Sequence, residues 1–335
     1  MRQITEQRLI KAFHDRLGGA IRDALANPDV IEVIVNASGQ VWLDTLRRGR
    51  VQTESKLHPA AGEAIIRLVA HHIGETVSEN RPLVAGIIPL TGERFQGVLP
   101  PLAKAPTFTI RKRPTVIFRL DDYVADGVAN ASCLDLVRTA LAERKNILVS
   151  GGTSSGKTTL LNALLAEPVI ADDRVILIED TVELQCAAED KVQLLTKRTE
   201  PRVTIRDLVQ TTLRLRPDRI VVGEIRDGAA ALEMLKAWNT GHDGGLGTVH
   251  ANSGRDALHR LEDLLSEVTG QVPHRLIGQA IDLVVHIRRR PEGRRIEEII
   301  AVDGYEQGVY RTRDLTLPAE VISAQPSPSP ERIPS

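Results

Sequence analysis

The stretch Asn146 to Leu161, NILVSGGTSSGKTTLL, constrains this chain more than any other. Ile147, Leu148 and Val149 form an apolar run of the kind a buried strand shows. A Gly-rich turn follows, and Lys157 to Leu161 reads as the opening of a helix. Gly151, Gly156, Lys157 and Thr158 meet the pattern G-x-x-x-x-G-K-[ST] in full. A phosphate chain needs many donors at once and no side-chain bulk in the way. Gly151, Gly152 and Gly156 let the backbone curl so that its N–H groups converge, and the following helix N-terminus adds partial positive charge. The spacing therefore predicts a nucleotide loop formed by Gly151, Gly152, Thr153, Ser154, Ser155, Gly156, Lys157, Thr158 and Thr159. In that loop Lys157 reaches the β- and γ-phosphates and the Thr158 hydroxyl ligates Mg²⁺.

The rest of the chain supplies two contexts. Before the loop, Ile10, Phe13, Leu17, Ile21 and Leu25 recur at helical spacing until Asn27-Pro28-Asp29 ends the helix. Val30 to Val35 and Gln40 to Leu46 read as a hairpin about Asn36-Ala37-Ser38-Gly39. A helix is expected over Pro59 to Ile73, and strands over Glu93 to Val98 and Thr107 to Lys112. This is an α+β pattern with no nucleotide motif of its own, and residues 1–115 are expected to form a smaller N-terminal domain. Residues 116–130 have the polar texture of a linker. From 131 to 316 apolar strands alternate with helices, which predicts an α/β domain with a largely parallel sheet covered on both faces. Residues 317–335, rich in Pro and Ser, are expected to be a disordered tail.

Composition excludes several classes. A formal net charge of −1 leaves no electrostatic footprint for a dedicated nucleic-acid binder, so sequence-specific nucleic-acid binding is not expected. The first 115 residues are slightly basic and the remainder slightly acidic, an asymmetry that fits a solvated face as well as peripheral contact with an anionic membrane. Two cysteines, Cys133 and Cys186, are too few for a disulfide framework or a four-cysteine zinc site, and a reducing cytosol is the simplest setting. No apolar stretch is long enough to span a bilayer.

Three strand ends after the loop carry candidate chemistry. Val175 to Ile178 is followed by Glu179, Asp180 and Glu183; a carboxylate there is placed to orient and deprotonate an attacking water. Arg219-Ile220-Val221-Val222-Gly223-Glu224 is an apolar strand tipped by an acid, the form of a Walker B segment, with Glu224 the expected Mg²⁺ holder beside Thr158. Thr240 to Asn252 combines a glycine-rich segment with His242 and His250, and His250 closes a strand, where a phosphate-sensing hydrogen bond is expected. From spacing alone Arg94, Arg111, Arg202, Arg206 and Arg226 read as solvated strand or helix faces.

Four ordered motifs, GGTSSGKT, IEDTVEL, LRLRPDRIVVGEIRD and TGHDGGLGTVHAN, together with IEVIVN, GERFQG and TIRKR in the first half, resemble the secretion and traffic ATPases of type IV secretion, conjugation and type IV pili, most of all their conjugal-transfer branch. The resemblance implies a RecA-like P-loop C-terminal domain behind a smaller α+β domain, a homohexameric ring with ATP bound between the two domains, and association with inner-membrane secretion components at the cytoplasmic face. It implies that Glu179 is the catalytic carboxylate, Glu224 the Walker B acid and His250 the histidine-box residue. It also implies that Arg94 and Arg111 approach the terminal phosphates. Glu179→Gln is then expected to keep ATP binding and lose turnover. The alternatives left open are a pilus-type motor, a nucleic-acid motor on the same core, and a nucleotide-gated scaffold. The four-cysteine module of the pilus-export branch has no counterpart here, and the Pro/Ser tail matches nothing in the family's pattern.

Overall fold

Helix α1 (Arg2–Ala26) opens the chain and is interrupted at Gly18, where φ is 73°. Among its described side chains Phe13, Leu17, Ile21 and Ala24, three and four apart, are buried. Strands β1 (Val30–Val35), β2 (Gln40–Thr45) and β3 (Gly49–Lys56) follow, then α2 (Pro59–His72), β4 (Leu83–Ile87), β5 (Arg94–Val98) and β6 (Thr107–Arg111). They form a six-stranded sheet in the order β3-β2-β1-β6-β5-β4, antiparallel throughout. Helices α1 and α2 cover one face, where Leu17, Ile65, Ile66 and Val69 meet Val33, Phe95, Phe108 and Ile110. The period of two puts Arg94, Gln96, Thr109 and Arg111 on the other face. The computed structural model describes residues 2–46, 48–88, 92–113, 117–197 and 200–316. Its compact units are Met1–Val116 and Ile117–Ser335.

The second unit begins with α3 (Leu120–Ala125) and α4 (Ala131–Ala142). It continues through β7 (Ile147–Gly151), α5 (Lys157–Leu165), β8 (Val175–Glu179), β9 (Lys191–Leu195), α6 (Ile205–Thr212), β10 (Arg219–Ile225) and α7 (Gly228–Trp238). It ends with β11 (Leu246–His250), α8 (Gly254–Ser266), α9 (His274–Ala280), β12 (Leu283–Arg290), β13 (Gly293–Glu306) and β14 (Val309–Asp314). The eight-stranded sheet runs β14-β13-β12-β7-β11-β10-β8-β9. Strands β9 through β12 in that order are parallel, and β13 and β14 add an antiparallel edge. Helices α6 to α9 pack on one face around Met234, Trp238 and Leu261, and α3 to α5 on the other around Leu134, Leu141 and Leu160. This burial on both faces is why β7, β8 and β10 read as unbroken apolar runs.

The stretch expected as a linker contains α3, whose Leu120 and Tyr123 are buried against the same core as α4 and α5. A six-residue helix is too short to show periodicity, so its apolar pair was not legible as an element. The expected tail, 317–335, lies outside the described residues.

The strand order fixes where a ligand can sit. From β7 the chain passes over the places of β11 and β10 to reach β8, and later crosses to β12 on the opposite side of β7. The direction of winding therefore reverses at β7, and the crevice this leaves opens at its carboxyl end, where the Gly-rich loop begins.

Candidate functional site

Strand β7 is buried from end to end, and the chain leaves it at Gly151 to enter α5 at Lys157. Both flanking glycines are required by space. A Cβ on Gly151 would lie 2.3 Å from the Ile287 carbonyl oxygen and 2.5 Å from Ser155 Oγ. One on Gly156, where φ is 104°, would lie 2.9 Å from Arg294 Cδ. Between them Gly152, Thr153 and Ser154 are exposed. Gly156 is the N-cap of α5 and offers no side-chain acceptor to the helix's first N–H groups. Ser155 Oγ is buried without a hydrogen-bond partner. Open backbone donors, an uncapped helix N-terminus and an orphaned buried hydroxyl together fit a bound polyphosphate.

Lys157 is 7% exposed and folds back over the loop, its Nζ donating to the carbonyls of Gly151 (3.1 Å) and Gly152 (2.9 Å). It stands 3.5 Å from both ring nitrogens of His250, at the end of neighbouring β11. His250 Nε2 is 2.7 Å from Glu224 Oε1 on β10. Glu224 Oε2 accepts from Arg226 Nε at 2.7 Å, and Arg226 Nη1 reaches Asp180 Oδ2 at 3.3 Å, just past β8. Thr196 Oγ1 donates to the other Asp180 oxygen at 2.8 Å. Five adjoining strand ends are thus joined by one polar chain. Burial, and then the Lys157 ammonium, push the His250 imidazole below its usual range, outweighing the pull of Glu224. The ring is therefore neutral at neutral pH, and its Nε2–H donates to the Glu224 carboxylate.

Beneath the loop, Ser150 Oγ and His286 Nδ1 are 2.9 Å apart in the buried sheet, tying β7 to β12. Burial lowers the His286 pKa as well. At the opposite, amino end of β10, the 1% exposed Arg219 binds Asp173 and donates to the carbonyls of Gly244 (3.2 Å) and Leu141 (3.0 Å).

The acidic segment after β8 is tied into its own turn. Glu179 is 3% exposed and its oxygens are already used. Oε1 accepts the N–H groups of Glu183 (2.9 Å) and Leu184 (2.8 Å), and Oε2 accepts Gln193 Nε2 (2.7 Å). Burial raises its pKa despite those bonds. A carboxylate so enclosed organises the turn that follows it. Asp180 and Glu183, both half-buried, are the other acids of the segment.

Lys157, Thr158, Glu224 and His250 all lie in the second unit. Thr158, half-buried, directly follows Lys157 at the start of α5. Among the described residues no cluster of three His, Cys, Asp or Glu side chains is arranged around a metal position. Mg²⁺ does not require one, because it uses one or two protein oxygens together with substrate phosphates, and the Thr158 hydroxyl and Glu224 carboxylate are of the right kind. Arg94 and Arg111 belong to the first unit, where they are directly opposed Cα partners on β5 and β6, with Glu32 opposite Arg111 on β1. Arg202 pairs with exposed Glu200. Gln193, Thr196 and the Ser150–His286 pair escaped the sequence reading, since nothing in local spacing marks them.

Residues 23–308 match the family model described as Type II/IV secretion system protein. The conjugal transfer protein TrbB of Rhizobium radiobacter is 45% identical over 307 residues, covering 91% of this chain and 94% of that protein. The type IV secretion system protein PtlH of Bordetella pertussis is 33% identical over 321 residues, covering 85% of this chain and 94% of that protein. The solved ATPase DotB of Legionella pneumophila aligns over 81% of this chain and 76% of that chain, with a TM-score of 0.59 and 19% identity. The likeness is one of fold: a RecA-like ATPase unit with a smaller α+β unit before it.

Proposed function

From membership in the Type II/IV secretion system protein family, to which this chain belongs, we propose that it is an Mg²⁺-dependent ATPase that powers a conjugative type IV secretion apparatus. The observation that carries this reading is the chain of contacts from Lys157 through His250 to Glu224 at the strand ends around the Gly-rich loop. Such an arrangement can register the presence of a terminal phosphate and pass it to the acids of β10 and β8.

In this reading the loop N–H groups and Lys157 hold the phosphates, and Glu224 with the Thr158 hydroxyl would hold the metal. Mg²⁺, when bound, supplies positive charge to the β- and γ-phosphate oxygens. An acid of the Glu179–Glu183 segment takes a proton from water as the water oxygen bonds to the γ-phosphorus. The bond from that phosphorus to the bridging oxygen breaks, leaving ADP and phosphate. In this reading Glu183 takes that role and Glu179, enclosed by its hydrogen bonds, holds the turn.

The working form is proposed to be a homohexamer at the cytoplasmic face of the inner membrane, in contact with membrane components of the secretion system. Its relatives in conjugal transfer and type IV secretion support that setting. Among the described residues no helix is long and apolar enough to cross a membrane, so contact with the membrane would be peripheral. The test is phosphate release by the purified chain with Mg²⁺ and ATP, alongside its mass in solution. The reading expects hydrolysis by a six-subunit particle and its loss in Lys157→Ala. A wild-type chain that releases no phosphate under conditions where it assembles would overturn it.

A further inference from the structure

The turn end of the β12–β13 hairpin forms a wall of the Gly-rich loop that the reading above does not use. The Ile287 carbonyl fills the space where a Gly151 side chain would begin, and Ile287 Cδ1 lies 3.5 Å from the position of a Gly156 Cβ. Across the hairpin, Arg294 lays Cδ at 2.9 Å and Nε at 3.2 Å from that same position. Its side chain is half-buried, so the approach of this guanidinium to the N-cap of α5 is part of the packed fold. On the same hairpin Arg288 and Arg290 pair with Glu297.

The sheet order gives this contact a direction. Strands β11, β10 and β8, which carry His250, Glu224 and the acidic segment, lie on one side of β7; β12 and β13 lie on the other. A nucleotide whose terminal phosphate lies at Lys157 and His250 and whose chain crosses the N-terminus of α5 runs toward the hairpin. Its α-phosphate, ribose and base then arrive on the side where Arg294 stands. A guanidinium suits that place, because its fork donates to non-bridging phosphate oxygens and its plane stacks on a flat base.

We infer that Arg294, packed on Gly156 from the β12–β13 hairpin, binds the nucleoside-monophosphate end of the nucleotide. This rests on the nucleotide-site reading above. Charge changes during hydrolysis at the other end of the ligand, so the contact holds substrate and transition state alike and acts on affinity rather than turnover.

The test measures binding of ADP, ATP and inorganic pyrophosphate, with kcat and KM, for the wild-type chain, Arg294→Ala and Arg294→Lys. In Arg294→Ala the Kd for ADP and ATP and the KM for ATP are expected to rise about ten-fold or more, as for loss of a hydrogen bond to a charged group. Pyrophosphate affinity stays at the wild-type value and kcat is essentially unchanged. Arg294→Lys falls between, keeping the charge and losing the stacking plane. Unchanged ADP and ATP binding in Arg294→Ala would overturn the inference. So would a parallel loss of pyrophosphate affinity, which would make Arg294 a support for the loop, or a fall in kcat at constant KM. A wild-type chain that binds none of the three ligands would instead overturn the nucleotide-site reading, and this inference with it.

Discussion

Replacing Glu179 by Gln separates a carboxylate that organises a turn from one that activates water. In the fold, Glu179 Oε1 accepts two backbone N–H groups and Oε2 accepts one side-chain donor from Gln193. Glutamine keeps an oxygen for the two backbone donors, and its new NH₂ faces an amide that can turn to offer oxygen. The weaker bonds are offset by removing a charge whose burial is unfavourable enough to raise the pKa, so the change in stability is expected to stay within about 1 kcal/mol. Alanine strands both backbone donors at about 1–3 kcal/mol each, or about 2–6 kcal/mol in all. The sign of the pH effect follows from the raised pKa. The cost of the buried charge is absent below the unfolded value of 4.5 and grows as pH rises through the higher folded value. Glu179→Gln therefore compares better with wild type in alkaline than in acidic buffer. Urea unfolding gives the stabilities, and phosphate release at saturating ATP gives turnover. Glu179→Gln should keep kcat within about ten-fold of wild type, whereas Glu183→Gln should lose about 10²–10⁴-fold, the range for a missing general base. If Glu179→Gln unfolds normally yet is inactive while Glu183→Gln turns over like wild type, the enclosed carboxylate is the base and the geometric reasoning is wrong.

Two further outcomes follow from the charged groups around the sheet. Because burial and Lys157 hold the His250 pKa below its usual value, the ring stays neutral until pH falls below the imidazole range; protonation then places a cation beside Lys157 and Arg226. The stability this neutral His contributes is present above the unfolded value of 6.5 and lost as pH falls through the lower folded value. A kcat/KM profile should fall on the acidic side, and His250→Gln should flatten that limb; an unchanged limb would detach His250 from the reaction. Arg219→Met leaves two carbonyls without their donor and Asp173 with Arg144 as its remaining ion-pair partner (2.8 Å). Urea unfolding should show a loss of about 2–4 kcal/mol, slightly below that of a wholly broken buried pair. Wild-type stability would mean the buried guanidinium contributes nothing net.

How much of this was legible in the residues depends on how local each feature is. The strand, turn and helix around Gly151 to Thr158 were readable because backbone sterics and a required lysine leave marks within eight consecutive positions. Buried parallel strands such as Ile147–Gly151 and Val175–Glu179 were readable because apolar contact on both faces removes alternation. Edge strands were not: Gly49–Lys56 alternates between half-buried and exposed without a clear apolar face, and Lys191–Leu195 has no fully buried residue. The same limit governs side-chain roles. Sequence places Glu179 at a strand end, but its partners are the N–H groups of a turn and a glutamine on an edge strand, so whether it faces water or protein is decided by packing. Ser150 meets His286 across 136 positions, and Lys157 meets His250 across 93. Both meetings are consequences of a strand order that sets β12 and β11 on either side of β7. Topology therefore assigns the chemistry here: it brings the loop lysine to the histidine and acids on one flank and Arg294 to the other. On the binding mode proposed above, a nucleotide in the crevice would have one end at each.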